Sequence, residues 1–130
     1  MRPLFAIALA ALAALALAAC GEEGLAVSKD DPDYNGAVIF ATHCSGCHTL
    51  SAAGTQGTGN RSVRTQGPNL DQRTETYDDA LFAIQNGGFS GAIMPQNIVV
   101  GEEAEELARF VARYAGSEAE ESPRPGEPAP

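Results

Sequence analysis

The densest group of chemically reactive side chains in this 130-residue sequence consists of Cys44, Cys47 and His48. They stand in the order Cys-Ser-Gly-Cys-His, so two thiols lie three positions apart and an imidazole follows the second one directly. On a helical turn this spacing places both thiols on one side. There each thiol can add to a vinyl group of a porphyrin, while the imidazole offers a nitrogen to the iron. The pattern C-x-x-C-H is therefore typical of c-type haem attachment.

The same side chains could serve two other chemistries. A C-x-x-C pair can act as a disulfide oxidoreductase, but such sites sit in a βαβ setting, which the surrounding sequence does not show. A zinc site needs four ligands, and the nearest additional ligand is His43, which adjoins Cys44. The residues alone leave both alternatives open, so the surrounding sequence has to decide.

The segment before Cys44 has the pattern of a short helix. Asp31 is predicted to be its N-cap, with Pro32 at the first helical position, where a missing N–H costs nothing. Gly36, Ile39, Phe40 and His43 then fall on one face of that helix at helical spacing. A glycine on this face permits a close crossing with a second helix.

Two further helices are predicted downstream. Tyr77 to Asn86 follows Thr76 as N-cap and ends at Gly87. The last helix is predicted over about Glu102 to Ala115, with acidic residues favouring its N-terminal dipole. Its apolar stripe predicts a buried face made by Ala104, Leu107, Ala108, Val111, Tyr114 and Ala115, with Phe110 on the shoulder.

From about residue 30 to residue 116 the sequence resembles the class I monohaem cytochrome c family. The resemblance rests on four features in the family's order: Gly36 and Phe40 ahead of the cysteines, the segment from Cys44 to His48, the stretch Gly67-Pro68-Asn69-Leu70, and Met94-Pro95 before the last helix. It implies a small all-α fold in which three to four helices wrap round one haem c, bound covalently through Cys44 and Cys47.

The resemblance also implies a set of haem contacts and no catalytic residue. His48 and Met94 would be the two axial iron ligands, and a thioether ligand raises the reduction potential. The backbone carbonyl of Pro68 would accept the second ring N–H of His48, and Leu70 would pack on the ring. Met94 is the only methionine besides Met1, and Pro95 favours an extended conformation for it.

Both ends of the chain are predicted to lie outside this domain. Residues 1–19 resemble a bacterial lipoprotein signal with lipidation at Cys20, because an apolar run over 4–19 follows Arg2 and ends in small residues before that cysteine. A plain secretory signal and a retained helical anchor are the alternatives. Residues 20–29 are predicted to be a tether, and the acidic, proline-rich segment 117–130 a disordered tail.

The charge balance narrows the choice of partners. A formal net charge of −9 argues against nucleic acid, which needs clustered lysine and arginine. Arg61, Arg64 and Arg73 are a local positive excess, which is either a solubility feature or a patch for docking or for neutralising a haem propionate. The segment 49–67, rich in small polar residues, is predicted to be a surface loop beside the haem edge.

These features predict a monomeric one-electron carrier that is not an enzyme. It would be exported and held by lipid at the outer face of the cytoplasmic membrane or in the periplasm. Its redox partners would be a quinol-oxidising membrane complex and a terminal oxidase or dehydrogenase. Two alternatives are a permanent haem subunit of a larger respiratory or dehydrogenase complex, and a redox sensor in which Met94 is labile.

Overall fold

The computed structural model of the protein describes residues 24–58, 66–89 and 93–119. Helix α1 spans Tyr34–His43, α2 spans Tyr77–Asn86 and α3 spans Glu102–Tyr114. Strands β1 (Thr49–Leu50) and β2 (Thr55–Gln56) form a short antiparallel hairpin, and 3-10 turns cover Ser51–Ala53 and Leu70–Gln72. The observed fold is the small all-α arrangement that the sequence predicts. Within the described ranges, no helix is both long and apolar enough to cross a membrane.

The start of α1 differs from the prediction. The helix begins at Tyr34, and Asp33 rather than Asp31 occupies the N-cap position without a side-chain capping bond. Asp31 lies in the preceding turn, where its carboxylate accepts a hydrogen bond from the backbone N–H of Asp33 at 2.8 Å. Aspartate side chains stabilise such turns two residues ahead, and here this turn delays the helix.

Helices α1 and α3 cross at very short range around Gly36. A Cβ atom at Gly36 would lie 2.6 Å from the carbonyl oxygen of Glu106 and would also collide with the Cβ of Phe110. The Phe40 and Phe110 rings meet edge to face at 6.0 Å. Phe110, predicted to be on the shoulder of α3, is fully buried because α1 covers it. The close crossing that Gly36 permits is therefore observed, and α3 is the second helix.

The segment after His48 is more structured than a surface loop. Leu50 of β1 is fully buried and Ala53 nearly so, and the Thr55 hydroxyl inside the hairpin accepts a hydrogen bond from the Leu50 N–H at 3.1 Å. The prediction of a surface loop over 49–67 is thus wrong for its first part, because these apolar side chains complete the core. Residues 59–65, with Arg61 and Arg64, lie outside the described residues.

The packed unit is also longer than 30–116 at both ends. Val27, in the predicted tether, is buried in the core, and the Ala26 N–H donates to the Ala52 carbonyl at 3.1 Å. At the other end the Glu118 N–H donates to the Asp71 carbonyl at 2.7 Å. The predicted signal, Cys20 and most of the predicted tail (120–130) fall outside the described residues.

Helix α2 is followed by the loop that carries Met94. Thr76 caps α2 as predicted: its hydroxyl accepts from the Asp79 N–H at 3.1 Å and donates to the Asp79 carboxylate at 2.7 Å. Gly87 ends the helix at a positive φ of 77°, a backbone conformation that favours glycine. The chain beyond it leads through Met94 to α3, which packs against both other helices.

Candidate cofactor site

A cavity of about 440 Å³ lies between the three helices and the two loops that join them. This volume is within the range of small-molecule and cofactor pockets. The lining is mostly apolar, and it gathers every residue for which the sequence predicts a haem contact: Cys44, Cys47, His48, Pro68, Leu70 and Met94. Residues that are 46 positions apart in the chain, His48 and Met94, thus contribute to the walls of one cavity.

The His48 ring is held by a backbone acceptor. Its Nδ1 lies 3.1 Å from the carbonyl oxygen of Pro68, and because a carbonyl can only accept, Nδ1 donates and carries the hydrogen. Nε2 is then the nitrogen with a lone pair for a metal. Burial lowers the pKa of His48, and the positive charge of Arg73 adds to this, while the bond to Pro68 and the charge of Glu75 oppose it. The imidazole is therefore neutral at pH 7, as a metal ligand must be.

Gly67 is in close contact with the His48 imidazole. A Cβ atom at this position would lie 2.5 Å from Nδ1 and 2.7 Å from Nε2 of His48, so no larger residue fits without moving the ring. The Gly67 N–H donates to the Cys47 carbonyl at 2.8 Å, which ties the glycine to the turn that carries the thiols. The Gly-Pro pair thus supplies both a hydrogen bond and a close contact to one ring.

The two thiols lie on a turn that continues directly from α1. The Cys44 N–H donates to the Phe40 carbonyl at 2.8 Å, and the N–H groups of Cys47 and His48 both donate to the Cys44 carbonyl, at 3.0 and 2.9 Å. Both cysteines are free thiols. Burial, with the nearby Cys47, raises the pKa of Cys44 to about 12. A redox-active dithiol needs the opposite shift, so this geometry disfavours an oxidoreductase.

Met94 reaches the cavity from a loop that is fastened to the end of α2. The Asn97 N–H donates to the Ile84 carbonyl at 2.9 Å, and the Gln96 side chain donates to the Asn86 carbonyl at 3.2 Å. A Cβ atom at Gly87 would lie 2.6 Å from the Met94 carbonyl oxygen, so the two backbones are in close contact. Met94 itself is partly buried and packs against the core.

The donor set suits a haem better than a zinc ion. A haem needs apolar walls, thiols for its vinyl groups and nitrogen or sulfur ligands for its iron, and the cavity lining provides all of these. Leu70 lines the cavity and is buried. Across 24–58, 66–89 and 93–119, no three side chains of the His, Cys, Asp or Glu type converge on a metal-binding position. The zinc alternative therefore finds no support there.

Some cavity residues were not predicted from the sequence. Glu75, only 10% exposed, forms an ion pair with Arg73, and both line the cavity. Arg73 was predicted as part of a positive excess that serves solubility, docking or neutralisation of a haem propionate. No local pattern distinguishes Glu75 from the other acidic residues. Phe89 and Ile93 also line the cavity. Their nearness in sequence to Met94 was the one available signal for them.

Comparisons with known proteins agree with this geometry. Residues 32–111, more than half of the chain, match the family model described as cytochrome C oxidase, cbb3-type, subunit III. The solved structure of the c-type cytochrome SorU from Sinorhizobium meliloti is 32% identical in sequence, with a TM-score of 0.54. That match covers 70% of this chain and 98% of the other. No curated protein matches the chain.

The family match spans α1, the thiol-bearing turn, Pro68, α2, Met94 and most of α3. The chemistry common to c-type cytochromes is electron transfer by a covalently attached haem. By the matching family model and by its likeness to a solved c-type cytochrome, the chain belongs to the class I monohaem cytochrome c family.

Proposed function

We propose that the protein is a one-electron carrier with a single haem c, attached through Cys44 and Cys47 and ligated by His48 and Met94. The observation that carries this proposal is the convergence of these four side chains on one mostly apolar cavity. When bound, the haem supplies one-electron exchange between Fe(III) and Fe(II). The thioether bonds keep the cofactor in place in a domain too small to depend on its core alone.

Each protein ligand has a separate structural support. Pro68 holds the His48 tautomer that leaves Nε2 for the iron, and Gly67 holds the ring plane. Met94 is supported from the far side, through the hydrogen bonds of its loop to α2. A haem iron held by both His48 and Met94 would have no free position for a substrate, which favours electron transfer over oxygen or peroxide chemistry.

Pro68 and Leu70 complete the proposed haem contacts. The Pro68 carbonyl accepts from the His48 imidazole, and with a metal on Nε2 this bond would raise the basicity of the ligand. Leu70 is buried in the cavity wall and would pack against the porphyrin. Apolar walls around the iron also limit solvent reorganisation between the two oxidation states, which suits rapid exchange.

We also propose that the domain is exported and held at a membrane by lipid on Cys20. The apolar run before that cysteine and the small residues next to it support this placement. The domain would then move electrons between a quinol-oxidising membrane complex and an oxidase or dehydrogenase. Labelling with a radioactive fatty acid, with Cys20→Ser as control, tests the anchor. Label that persists in the Cys20→Ser variant would contradict it.

The second candidate function is a permanent subunit of a larger respiratory complex. The matching family model is described by its place in a cbb3-type oxidase, and this description favours that candidate. Solubilising the membranes in mild detergent and purifying the protein separates the two functions. A carrier elutes alone, whereas a permanent subunit brings stoichiometric partners with it through successive columns.

The haem proposal itself is tested by a potentiometric titration of the purified protein, followed optically. One reversible one-electron wave, with sharp ferrous bands and an unchanged spectrum after adding carbon monoxide, is expected for a closed six-coordinate site. A carbon monoxide complex that forms at once in the ferrous state would show that an axial position is open.

A further inference from the structure

Three large apolar side chains are exposed beside the mouth of the cavity, and we call them the aromatic patch: Phe82, Phe89 and Ile93. They are 48%, 58% and 51% exposed, respectively. The rings of Phe82 and Phe89 stack on each other, with centroids 5.4 Å apart and planes at 25°. Exposed apolar side chains that touch one another often mark an interaction site, whereas single exposed ones are ordinary.

The aromatic patch is continuous with the cofactor site. Phe89 and Ile93 both line the cavity, and Ile93 directly precedes the proposed ligand Met94. Phe82, on α2, extends this surface away from the cavity through its stack with Phe89. A partner seated on the aromatic patch would therefore lie at the edge of the proposed haem, where electron tunnelling distances are shortest.

The sequence that carries the aromatic patch is acidic. The sequence from 74 to 108 contains seven acidic residues and no lysine, arginine or histidine. Asp78 lies one helical turn before Phe82 on α2, and Asp79 lines the cavity. Arg73 also lines the cavity, but its ion pair with Glu75 cancels its charge locally.

We propose that the aromatic patch, bordered by Asp78 and Asp79, is the docking surface for a redox protein whose contact face is apolar and rimmed by lysine or arginine. This inference rests on the proposed function, because it names the kind of partner that exchanges electrons at the same site. It reverses the polarity expected if Arg61, Arg64 and Arg73 formed the docking patch.

Charge also decides against the other occupants. A second copy of this chain would bring the same acidic border and a net charge of −9, so like charges would face each other. Anionic lipid headgroups would be repelled for the same reason. Three apolar side chains make a small contact, which suits the weak, fast-releasing complexes of redox carriers.

The test measures oxidation of the reduced holoprotein by three small oxidants in a stopped-flow instrument. Tris(phenanthroline)cobalt(III) is cationic with aromatic ligands, hexaammineruthenium(III) is cationic without them, and ferricyanide is anionic. Raising the ionic strength from about 10 mM to about 500 mM should slow both cations and accelerate ferricyanide, because screening then removes attraction and repulsion respectively. The reverse salt dependence would overturn the proposal.

Substitutions separate the apolar contact from the charge. Phe82→Ser, at a residue that does not line the cavity, should slow the cobalt complex by about threefold or more and change the ruthenium complex by less than about twofold. Asp78→Asn should weaken the salt dependence for both cations. Val100→Ser, at an apolar residue that is 62% exposed and does not line the cavity, is the matched control. Equal slowing of both cations, or an equal effect in the control, would contradict an apolar docking surface.

Two further outcomes keep this inference distinct from the proposed function. If the protein shows no reversible haem oxidation at all, the proposed function fails and not merely its partner. If haem oxidation is reversible but the protein sediments as a dimer that Phe82→Ser abolishes, the occupant is a second copy and the proposed partner is wrong. A monomeric wild-type protein at both low and high salt agrees with the proposal.

Discussion

The two sides of the cavity are built in different ways. On the His48 side, the ring is fixed by the Pro68 carbonyl, by contact with Gly67 and by the edge of Phe40 at 6.4 Å. That side continues into the tight crossing of α1 and α3 at Gly36. On the Met94 side, a loop is fastened to α2 by two hydrogen bonds and one close backbone contact, and its neighbour Ile93 is half exposed.

The two proposed axial ligands therefore depend on different parts of the fold. The His48 ligand belongs to the core, so a change that moves its supports also moves the helix crossing. The Met94 ligand belongs to a surface loop, so it can be lost while the helices stay packed. Substitutions on the two sides should therefore separate loss of folded protein from loss of a ligand.

The largest effect is expected at the helix crossing. Gly36→Val would place side-chain atoms against the Glu106 carbonyl and Phe110, both of which belong to α3, so the helices must move apart. We expect about 3 kcal/mol or more of destabilisation, measured by urea unfolding, and little holoprotein in the cell. Gly24→Val is the control, because nothing lies within 4 Å of a Cβ there. Equal stability of the two variants would disprove the tight crossing.

A smaller effect is expected at the support of the His48 ring. Gly67→Ala would force the ring away from its present position and lengthen its bond to Pro68. The expected cost is about 1–3 kcal/mol of stability, together with a shifted ferrous spectrum. Gly46→Ala is the control, because Gly46 lies in the thiol-bearing turn and nothing lies within 4 Å of a Cβ atom there. It should change neither the stability nor the spectrum. An unperturbed spectrum in Gly67→Ala would remove Gly67 from the account.

On the other side of the cavity, Met94→Ala should alter the redox centre more than the fold. The midpoint potential should fall by on the order of 0.1 V, since the thioether ligand raises it, and carbon monoxide should then bind the ferrous protein. The substitution should lower the free energy of unfolding by no more than about 2 kcal/mol, because the Met94 side chain is only partly buried. Val100→Ala serves as control. A potential and spectrum that stay unchanged in Met94→Ala would show that another group ligates the iron.

The smallest effect is expected where the two ends of the domain meet. The Tyr114 hydroxyl donates to the Asp31 carboxylate at 2.7 Å, and this bond lowers the pKa of Asp31 and raises the pKa of Tyr114. Tyr114→Phe should lower the free energy of unfolding at pH 7 by less than any of the preceding variants, measured by urea unfolding, because the bond lies near solvent. A Tyr114→Phe variant as stable as the wild type would remove the bond from the account.

The pH dependence of that pair has two limits. The lowered pKa of Asp31 gives stability that is present above its ordinary value of 3.8 and is lost as the pH falls through the folded value. The raised pKa of Tyr114 gives stability that is present below its ordinary value of 10.0 and is lost as the pH rises through the folded value. The free energy of unfolding of the wild type should therefore exceed that of Tyr114→Phe between these two pH limits. Outside them the two values should converge. A constant difference across the whole range would contradict the pairing.

The features that could be predicted from the sequence depend on local signals. Helical periodicity and caps such as Thr76 and Gly87 are local signals, so α2 was predicted residue for residue. The C-x-x-C-H motif carries its own chemistry, and the spacing of Pro68 and Met94 follows the family. These residues do line one cavity in the structure.

The features that the sequence did not predict depend on contacts between distant segments. Asp31, whose turn delays α1 by two residues, accepts a hydrogen bond from the Tyr114 hydroxyl, 83 positions away. Val27 is buried in the core, and the neighbouring Ala26 N–H is bonded to the carbonyl of Ala52 in the hairpin after His48. Asp71, buried at 2% exposure, is satisfied by the Ser51 N–H at 2.9 Å and the Ser51 hydroxyl at 2.7 Å, a pairing across 20 positions. Such partners become visible only when the chain is folded.

The most direct test of the central claim is a haem stain of the full chain after denaturing electrophoresis, run beside a Cys44→Ser, Cys47→Ser double variant. The account predicts haem that stays with the wild-type band through boiling in detergent and is absent from the variant band. A wild-type band that loses its haem on denaturation would contradict covalent attachment, and with it the assignment of Cys44 and Cys47.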